Sequence, residues 1–363
     1  MRTAVFFVLA SLSLPLAAQE PTIALVGLRH AHTWGYLDGI IKSSPAKLVA
    51  FSETDPDLVA EARKVVPPDV RYFSDYKQML DEVKPAMVWA FVENNRHHEV
   101  VEACGPRKIH VIFEKPLAAT APQAILIRDL ARKYGIQVLT NFGIAYNPSY
   151  SAIKAKLDSG YIGIPWRLRV TTGHDGVFPK SGRSKYFHEW LIDPVKNGGG
   201  ALMDFGCYNA LYALYYLGRP QTVYAYALHL RPADFPQVED SATMVLGYSN
   251  AVAILEQSWD LPPNPNTNGL EIVSHEGAIR IKEDGKLEVR KGRTPPVALD
   301  VLPPLPPERS GPIAQMVHSI KTNRPVEGLV SFDYTVAVNE ILDAAKLSIK
   351  TGKPVTLPDV ARP

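Results

Sequence analysis

The alternation of short apolar runs with amphipathic stretches in the first 140 residues most restricts the fold of this chain. Thr22-Ile-Ala-Leu-Val26 and Met87-Val-Trp-Ala-Phe91 are continuous apolar runs, typical of strands buried on both faces of a parallel sheet. Asp55 precedes a helical stretch that begins at Pro56, where a helix cap is expected. Repeated βα units predict a doubly wound sheet, which binds ligands beyond the carboxyl ends of its strands.

The pattern changes after Asn141, where apolar and polar residues alternate. Alternation predicts a sheet with one covered face, more often antiparallel. We therefore expect an α/β Rossmann domain over residues 19–142 and an α+β domain with a largely antiparallel open sheet over residues 143–363. The predicted strands cover residues 22–26, 47–51, 87–91, 109–113, 136–140, 166–172, 222–230, 242–248, 251–258 and 270–274. The predicted helices cover residues 33–43, 56–65, 76–83, 97–104, 121–134, 148–159, 207–217 and 334–350.

The first residues predict an export signal rather than part of the fold. Arg2 is followed by an apolar run from Ala4 to Leu16 and then by Ala17 and Ala18. A basic start, a short apolar core and a small-residue exit indicate a signal peptide over residues 1–18, and therefore a periplasmic or extracellular protein. The alternative is an uncleaved membrane anchor, for which the run is short. The net charge of +2 gives no reason to expect a nucleic-acid partner, and we expect no membrane partner after cleavage.

The turn after the first strand is the natural place for a phosphate, because backbone N–H groups and a helix N-terminus meet there. It reads Gly27-Leu-Arg-His-Ala-His32. Only the first glycine of the dinucleotide fingerprint G-x-G-x-x-G is present, and Arg29 and His32 stand at the other two glycine positions. On this evidence alone a simple tight turn is the commoner interpretation. The alternative is that Arg29 or His32 pairs with phosphate oxygens.

Glu53, at the end of the second strand, stands where a carboxylate accepts hydrogen bonds from an adenosine ribose. A carboxylate there repels a ribose phosphate, so NAD is favoured over NADP. The alternative, that Glu53 only starts a turn with Asp55, is equally open.

Two further motifs carry candidate chemistry. Glu114-Lys-Pro116 follows an apolar strand, so Lys115 lies at the ligand-binding edge, where an ammonium can stabilise negative charge on oxygen. In the second half, three glycines at 198–200 can let backbone approach a ligand. Asp204 and Tyr208 follow four positions apart, on one side of a helix, as a candidate acid–base pair. Each motif alone also matches an ordinary loop or helix surface.

Together these motifs resemble the Gfo/Idh/MocA oxidoreductases, the superfamily of glucose–fructose oxidoreductase and inositol dehydrogenase. Glu114-Lys-Pro116 is similar to the family's EKP signature, and Asn94-Asn-Arg-His97 resembles its asparagine–histidine turn. The segment from Trp190 to Asp204 is similar to its second signature. The resemblance covers nearly the whole chain after residue 18. The eroded glycine fingerprint departs from it, and export conflicts with a free nicotinamide supply.

The resemblance implies an NAD(P)-dependent oxidoreductase that transfers a hydride from a sugar, polyol or related cyclic hydroxyl compound. Lys115 and Asp204 would be catalytic, and Tyr208 would move the proton, with its pKa lowered by Lys115. Two alternatives are an NAD-assisted glycoside elimination and an exported ligand-binding protein that has lost its nucleotide. The residues expected to bind cofactor are Gly27, Arg29, His32, Glu53, Asn94, His97, Glu114, Lys115 and Trp190.

Two further expectations concern metals and assembly. His30, His32 and His97 belong to turns on the same sheet edge and suggest a metal site. No carboxylate stands at ligand spacing from them in the sequence, so we expect no metal. The open face of the second sheet favours a homo-oligomer.

Overall fold

The computed structural model describes residues 20–178, 184–262, 269–281, 286–299 and 303–358. The predicted signal over residues 1–18 lies outside these residues. Within the described ranges, no helix combines the length and apolar character needed to cross a membrane.

The first domain is a six-stranded parallel sheet with strand order β3-β2-β1-β4-β5-β6, which is the order of a doubly wound dinucleotide fold. Its apolar strands are buried on both faces between helices. Asp55 caps α2, because its carboxylate accepts hydrogen bonds from the backbone N–H groups of Asp57 and Leu58. The strands are β1 Thr22–Val26, β2 Lys47–Ser52, β3 Arg71–Phe73, β4 Met87–Ala90, β5 His110–Glu114 and β6 Val138–Asn141. The helices are α1 His32–Lys42, α2 Pro56–Arg63, α3 Tyr76–Val83, α4 His97–Cys104 and α5 Ala121–Tyr134.

The second domain is a nine-stranded sheet with helices on one face. Its strands are β7 Pro165–Gly173, β8 Thr222–Leu228, β9 Ser241–Gly247, β10 Val252–Ser258, β11 Gly269–Ser274, β12 Gly277–Ile281, β13 Leu287–Lys291, β14 Val297–Leu299 and β15 Val355–Thr356. The strand order is β14-β13-β12-β11-β7-β10-β9-β8-β15. Strands β7 and β10 pair in parallel, and the other neighbours pair antiparallel. The helices are α6 Pro148–Asp158, α7 Ser184–Leu191, α8 Ala201–Asp204, α9 Gly206–Leu217, α10 Pro312–Thr322 and α11 Phe332–Thr351.

The two domains are joined by polar contacts between α11 and the loop that follows β5. The side-chain amide of Asn339 donates to the carbonyl oxygen of Ala118 at 2.7 Å. The carboxylate of Asp343 accepts a hydrogen bond from the backbone N–H of Ala121, also at 2.7 Å. These contacts hold the loop after Lys115 against the second domain.

The predicted fold class is confirmed, and three helices match the prediction closely. Helices α3, α4 and α5 begin and end at the predicted residues. The prediction missed β3, α7, α8, β12, β13, β14 and α10, whereas β15 lies in the short extended tail expected after the last helix. Strand β3 has only three residues, two of them exposed, so it offers too short a pattern to recognise. The predicted domain boundary near residue 142 stays a prediction, although the parallel sheet ends at Asn141.

Candidate active site

Lys115 and Asp204 form a buried ion pair between the two domains. Lys115 directly follows β5, and Asp204 ends the short helix α8. The Lys115 Nζ atom lies 2.5 Å from Asp204 Oδ1 and donates also to the Asp204 carbonyl oxygen at 3.0 Å. Only 6% of Lys115 and 7% of Asp204 are exposed. A buried charge is tolerated when it is paired and hydrogen-bonded, so the pair fixes both side chains.

Trp259 holds the second oxygen of the Asp204 carboxylate. Its indole N–H donates to Asp204 Oδ2 at 2.9 Å, and the ring is fully buried just after β10. Sequence reasoning missed this residue, because a tryptophan at a strand end is indistinguishable from a core residue. Asp204 is therefore positioned from both domains at once.

Tyr208 lies beside this pair, on the first turn of α9. The Lys115 ammonium stands 5.0 Å from the centre of the Tyr208 ring, and Phe142 packs edge-on against the same ring at 5.5 Å. The structure thus brings together the three side chains that the sequence singled out as catalytic. Their catalytic roles stay a prediction.

Burial and neighbouring charges shift the pKa values of Lys115, Asp204 and Tyr208 in different ways. Burial is the largest single effect and disfavours a charged Lys115, but the charge and hydrogen bond of Asp204, together with Tyr208 and Cys207, raise the pKa of the ammonium overall. Burial acts against the Asp204 carboxylate too, yet Lys115 and the hydrogen bonds hold its pKa below the usual value. For Tyr208, burial raises the pKa more than Lys115 lowers it. The expectation of a lowered Tyr208 pKa is therefore wrong, because the loss of water around the phenol outweighs the nearby ammonium.

Of the three glycines at 198–200, Gly198 serves the contact between domains, whereas Gly199 and Gly200 lie against residues of the second domain. Gly198 has φ +96°, and a Cβ atom there would overlap the carbonyl oxygen of Ala119 in the first domain. At Gly198 the close approach is therefore to the backbone of the first domain.

The turn from Gly27 to His32 keeps its glycine where the backbone requires it. Gly27 has φ +75°, and a Cβ atom there would lie 2.8 Å from the Val92 side chain. Several amides of the turn have partners within the protein: the Leu28 N–H donates to Glu53, and the N–H groups of His30 and Thr33 donate to backbone carbonyl oxygens. In a standard phosphate-binding turn the backbone N–H groups are free to donate to the ligand, whereas these amides donate to acceptors within the protein.

Aromatic side chains of α7 cover this turn. Phe187 lies 4.5 Å from the His30 ring centre and 6.4 Å from that of His32. Trp190, predicted to contact cofactor, is buried and lies 5.6 Å from His30. Tyr186, which precedes Phe187 in α7, donates its hydroxyl hydrogen to the Asp57 carboxylate at 3.1 Å. Helix α7 was not predicted, so this cover could not be anticipated.

Glu53, expected at the adenosine ribose, is hydrogen-bonded to the first turn, which also contains Arg29, expected at phosphate oxygens. The buried Glu53 carboxylate accepts from the N–H groups of Leu28, Thr54 and Asp55 at 2.7, 2.7 and 2.9 Å. Arg29 is partly exposed and 3.9 Å from Asp55. The turn and the carboxylate expected at the ribose are thus directly connected.

The remaining predicted cofactor residues follow β4 and β5. Asn94 donates to Asn197 of the second domain at 2.7 Å, and its own side-chain oxygen is buried without a partner among the described residues. His97 is fully buried, with Nδ1 bonded to the Leu117 carbonyl oxygen at 2.9 Å, and burial lowers its pKa to about 4. His97 therefore supports the loop after Lys115. Glu114 is buried at the end of β5.

Two observations at the strand ends fit a nicotinamide dinucleotide. The Lys115 ammonium donates two of its three N–H groups to Asp204. The buried side-chain oxygen of Asn94 accepts no hydrogen bond from the described residues. Both can meet a polar ligand at the carboxyl edge of the sheet. Lys115 and Asn94 would hold the nicotinamide end and Glu53 the ribose end.

The comparisons with known proteins agree with this architecture. Residues 22–142 match the oxidoreductase family with an NAD-binding Rossmann fold, and residues 150–280 match the Gfo/Idh/MocA C-terminal domain. The chain is therefore a two-domain protein of the dinucleotide-binding oxidoreductase type. It belongs to the Gfo/Idh/MocA family.

Relatives within this family act on sugars and polyols. D-xylose 1-dehydrogenase (NADP(+)) 2 of Haloferax volcanii is 29% identical over 52% of this chain and 55% of its own length. Myo-inositol 2-dehydrogenase of Thermotoga maritima is 23% identical over 64% of this chain and 65% of its own. The chain thus spans between half and two thirds of these relatives.

Solved structures extend the likeness in fold to nearly the whole chain. The aldose-aldose oxidoreductase of Caulobacter crescentus, complexed with glycerol, superposes with a TM-score of 0.80 at 20% identity, covering 93% of this chain and all of the other. A levoglucosan dehydrogenase in complex with NADH and levoglucosan gives a TM-score of 0.75 at 22% identity, over 94% of this chain and all of the other.

Proposed function

We propose that this chain is an NAD(P)-dependent oxidoreductase that acts on a CH–OH group of a sugar, polyol or related cyclic hydroxyl compound. The observation that carries the proposal is the meeting of Lys115, Asp204 and Tyr208, from two domains, at the carboxyl edge of the parallel sheet. The sugar and polyol dehydrogenases among the relatives support the substrate class. A bound nicotinamide dinucleotide supplies the hydride acceptor or donor.

The chain's own residues would manage the proton on the reacting oxygen. Asp204 keeps Lys115 charged, so its remaining N–H can donate to the substrate oxygen and stabilise negative charge there. Because burial keeps the phenol of Tyr208 protonated, the resting site is set to give a proton to a carbonyl oxygen. In the oxidation direction the phenol first releases its proton to solvent, and the resulting phenolate, stabilised by the adjacent ammonium, accepts the hydroxyl proton of the substrate.

For the cofactor we propose NAD rather than NADP. Glu53 places a buried carboxylate against the Leu28 amide, where a ribose phosphate would be repelled. The NADP(+)-dependent xylose dehydrogenase among the relatives is the reason to test both. Equilibrium titration with each nucleotide distinguishes them, and a tighter NADP⁺ complex contradicts the proposal.

The activity is tested with purified protein, each nucleotide and a panel of sugars and polyols. Formation of reduced nicotinamide together with a keto-sugar supports the proposal. Release of an aglycone from a glycoside, without net reduction, supports the elimination alternative.

The second candidate is a ligand-binding protein that has lost its nucleotide. It is favoured by the rings of His30, His32 and Phe187, which lie together at the turn. Mass spectrometry of gently denatured protein, combined with nucleotide titration, decides between the two. Absence of both copurified nucleotide and binding at millimolar concentration overturns the oxidoreductase proposal.

Export and self-association complete the proposal. The signal over residues 1–18 is tested by fractionation and by sequencing the mature N-terminus, with cleavage expected after Ala18. The open sheet face exposes Tyr224, Tyr226 and Leu228 of β8, which supports a homo-oligomer. Light scattering measures the assembly, and replacing Tyr226 with Asp should dissociate it.

A further inference from the structure

Two imidazoles and one carboxylate meet at the first turn of the parallel sheet. His30, His32 and Glu114 each offer a ligand atom, and the three atoms lie within 4.8 Å of one another. His32 Nδ1 is 2.9 Å from Glu114 Oε2. The sequence contains no carboxylate at ligand spacing from these histidines, because Glu114 is 82 positions from His32. The fold brings the Glu114 carboxylate to His30 and His32, whereas His97 does not belong to this cluster.

Glu114 is a buried carboxyl group that no lysine or arginine among the described residues pairs with. Its side chain is 1% exposed, and among the described residues its ion-pair partner is His32 alone. The neighbouring Lys115 ammonium is paired with Asp204. A buried carboxylate is unfavourable unless a cation or a metal compensates it, and a metal ion within reach of Oε2 would do so.

The surroundings orient these ligands as in known metal sites. The amide of Asn141 donates to Glu114 Oε1 at 2.9 Å, and the same amide donates to Tyr36. Hydrogen bonds from such outer residues hold a metal-binding carboxylate in place. The rings of Phe187 and Trp190 pack around His30, which limits water on that side.

We propose that His30, His32 and Glu114 bind one divalent transition-metal ion, with Zn²⁺ the best match to two nitrogens and one oxygen. Because 41% of the His32 side chain is exposed, the site opens to the cleft, and oxygen atoms of water or of a ligand complete the coordination. The hydrogen bond from the backbone N–H of His32 to His30 Nδ1 is exchanged for a metal–nitrogen bond when the ion binds at that nitrogen. The proton between His32 Nδ1 and Glu114 Oε2 is released to solvent if the ion binds these two atoms. This inference does not depend on the proposed hydride transfer.

The test uses full-length protein without an oligohistidine tag, stripped of metal with a chelator and then dialysed. Calorimetric titration with Zn²⁺ should show one ion per chain, and Co²⁺ should produce the visible absorption of a site with nitrogen ligands. His32→Ala and Glu114→Gln should each weaken Zn²⁺ binding by about 100-fold or more, and Asn141→Ala by about tenfold.

His318→Ala is the matched control, because His318 is exposed on α10, and it should bind Zn²⁺ like the parent. Circular dichroism establishes that each variant is folded. His32→Ala, at a partly exposed position, provides the test if Glu114→Gln does not fold. The proposal is overturned if the stripped protein takes up no stoichiometric Zn²⁺. It is also overturned if folded His32→Ala binds the ion as tightly as His318→Ala.

Discussion

The two ends of the site at the carboxyl edge of the parallel sheet differ in how closely they match the motifs of the family. At one end Lys115, Asp204, Tyr208 and Trp259 form a closed set of contacts drawn from both domains. At the other, the turn over residues 27–32 has lost two fingerprint glycines and gained side chains with partners of their own. A buried ion pair resists substitution because removing either partner leaves an unpaired charge. In the turn, by contrast, several backbone amides have partners within the protein.

The largest effect is expected at the ion pair, from Lys115→Met. Catalytic efficiency should fall by about 10³-fold or more, because both the oxygen-stabilising cation and the orientation of Asp204 are lost. The free energy of unfolding should fall by about 3–5 kcal/mol, since Asp204 stays buried without its partner. Steady-state kinetics and urea denaturation measure the two effects.

The double variant Lys115→Met/Asp204→Asn provides the control for this prediction. It should regain part of the unfolding free energy, because no unpaired charge remains, but none of the activity. A single variant as stable as the parent would show that the pair is not buried in solution.

Tyr208→Phe should remove activity with little change in stability. A lost proton-transfer group typically lowers the rate by about 10²–10⁴-fold, while the ring and its contact with Phe142 are kept. Single-turnover measurement of nicotinamide reduction reports the effect. Tyr215→Phe, on the same helix α9, should behave like the parent. Equal rates for both variants would remove Tyr208 from the mechanism.

Trp259→Phe should have a smaller effect, mainly on kcat. It deletes the hydrogen bond to Asp204 Oδ2, and a bond to a charged group contributes about 2 kcal/mol. We expect roughly a tenfold lower kcat with a nearly unchanged KM, because Trp259 positions Asp204 rather than contacting substrate. Trp166→Phe, at a half-exposed ring, is the control. A change confined to KM would assign Trp259 to substrate binding instead.

The smallest effect tests the turn itself. Gly27→Ala should lower the free energy of unfolding by about 1–3 kcal/mol, because a Cβ atom is strained at φ +75° and meets Val92. Gly35→Ala, inside α1 with open space around it, should raise stability by about 0.5–1 kcal/mol. Thermal denaturation compares the two, and an unaffected Gly27→Ala would mean that the turn is not held as described.

Sequence alone predicted those parts of the molecule whose signal is local. The apolar run at β1 and the periodicity of α5 each lie within one segment, so their ends were found closely. Lys115, Asp204 and Tyr208 could be selected because each belongs to a recognisable motif. The hydrogen bond from Trp259 and the pairing of His32 with Glu114 join distant segments, and no spacing in the sequence reveals them.

The expectation for Tyr208 failed for a related reason. Its pKa depends on how much water the fold removes from the phenol, and neither the sequence nor the motif contains that quantity. Helix α7 was not predicted either, although its side chains supply the rings that cover the first turn.

The ion pair between the domains also limits how ligands can reach and leave the protein. Pulling the domains apart would separate Lys115 from Asp204 and break the Asn94–Asn197 and Asn339–Ala118 contacts at the same seam. Such an opening carries a penalty of several kcal/mol, by the same reasoning that makes a broken buried pair costly. Exchange of ligands along the rim of the site, with the two domains in contact, avoids this cost.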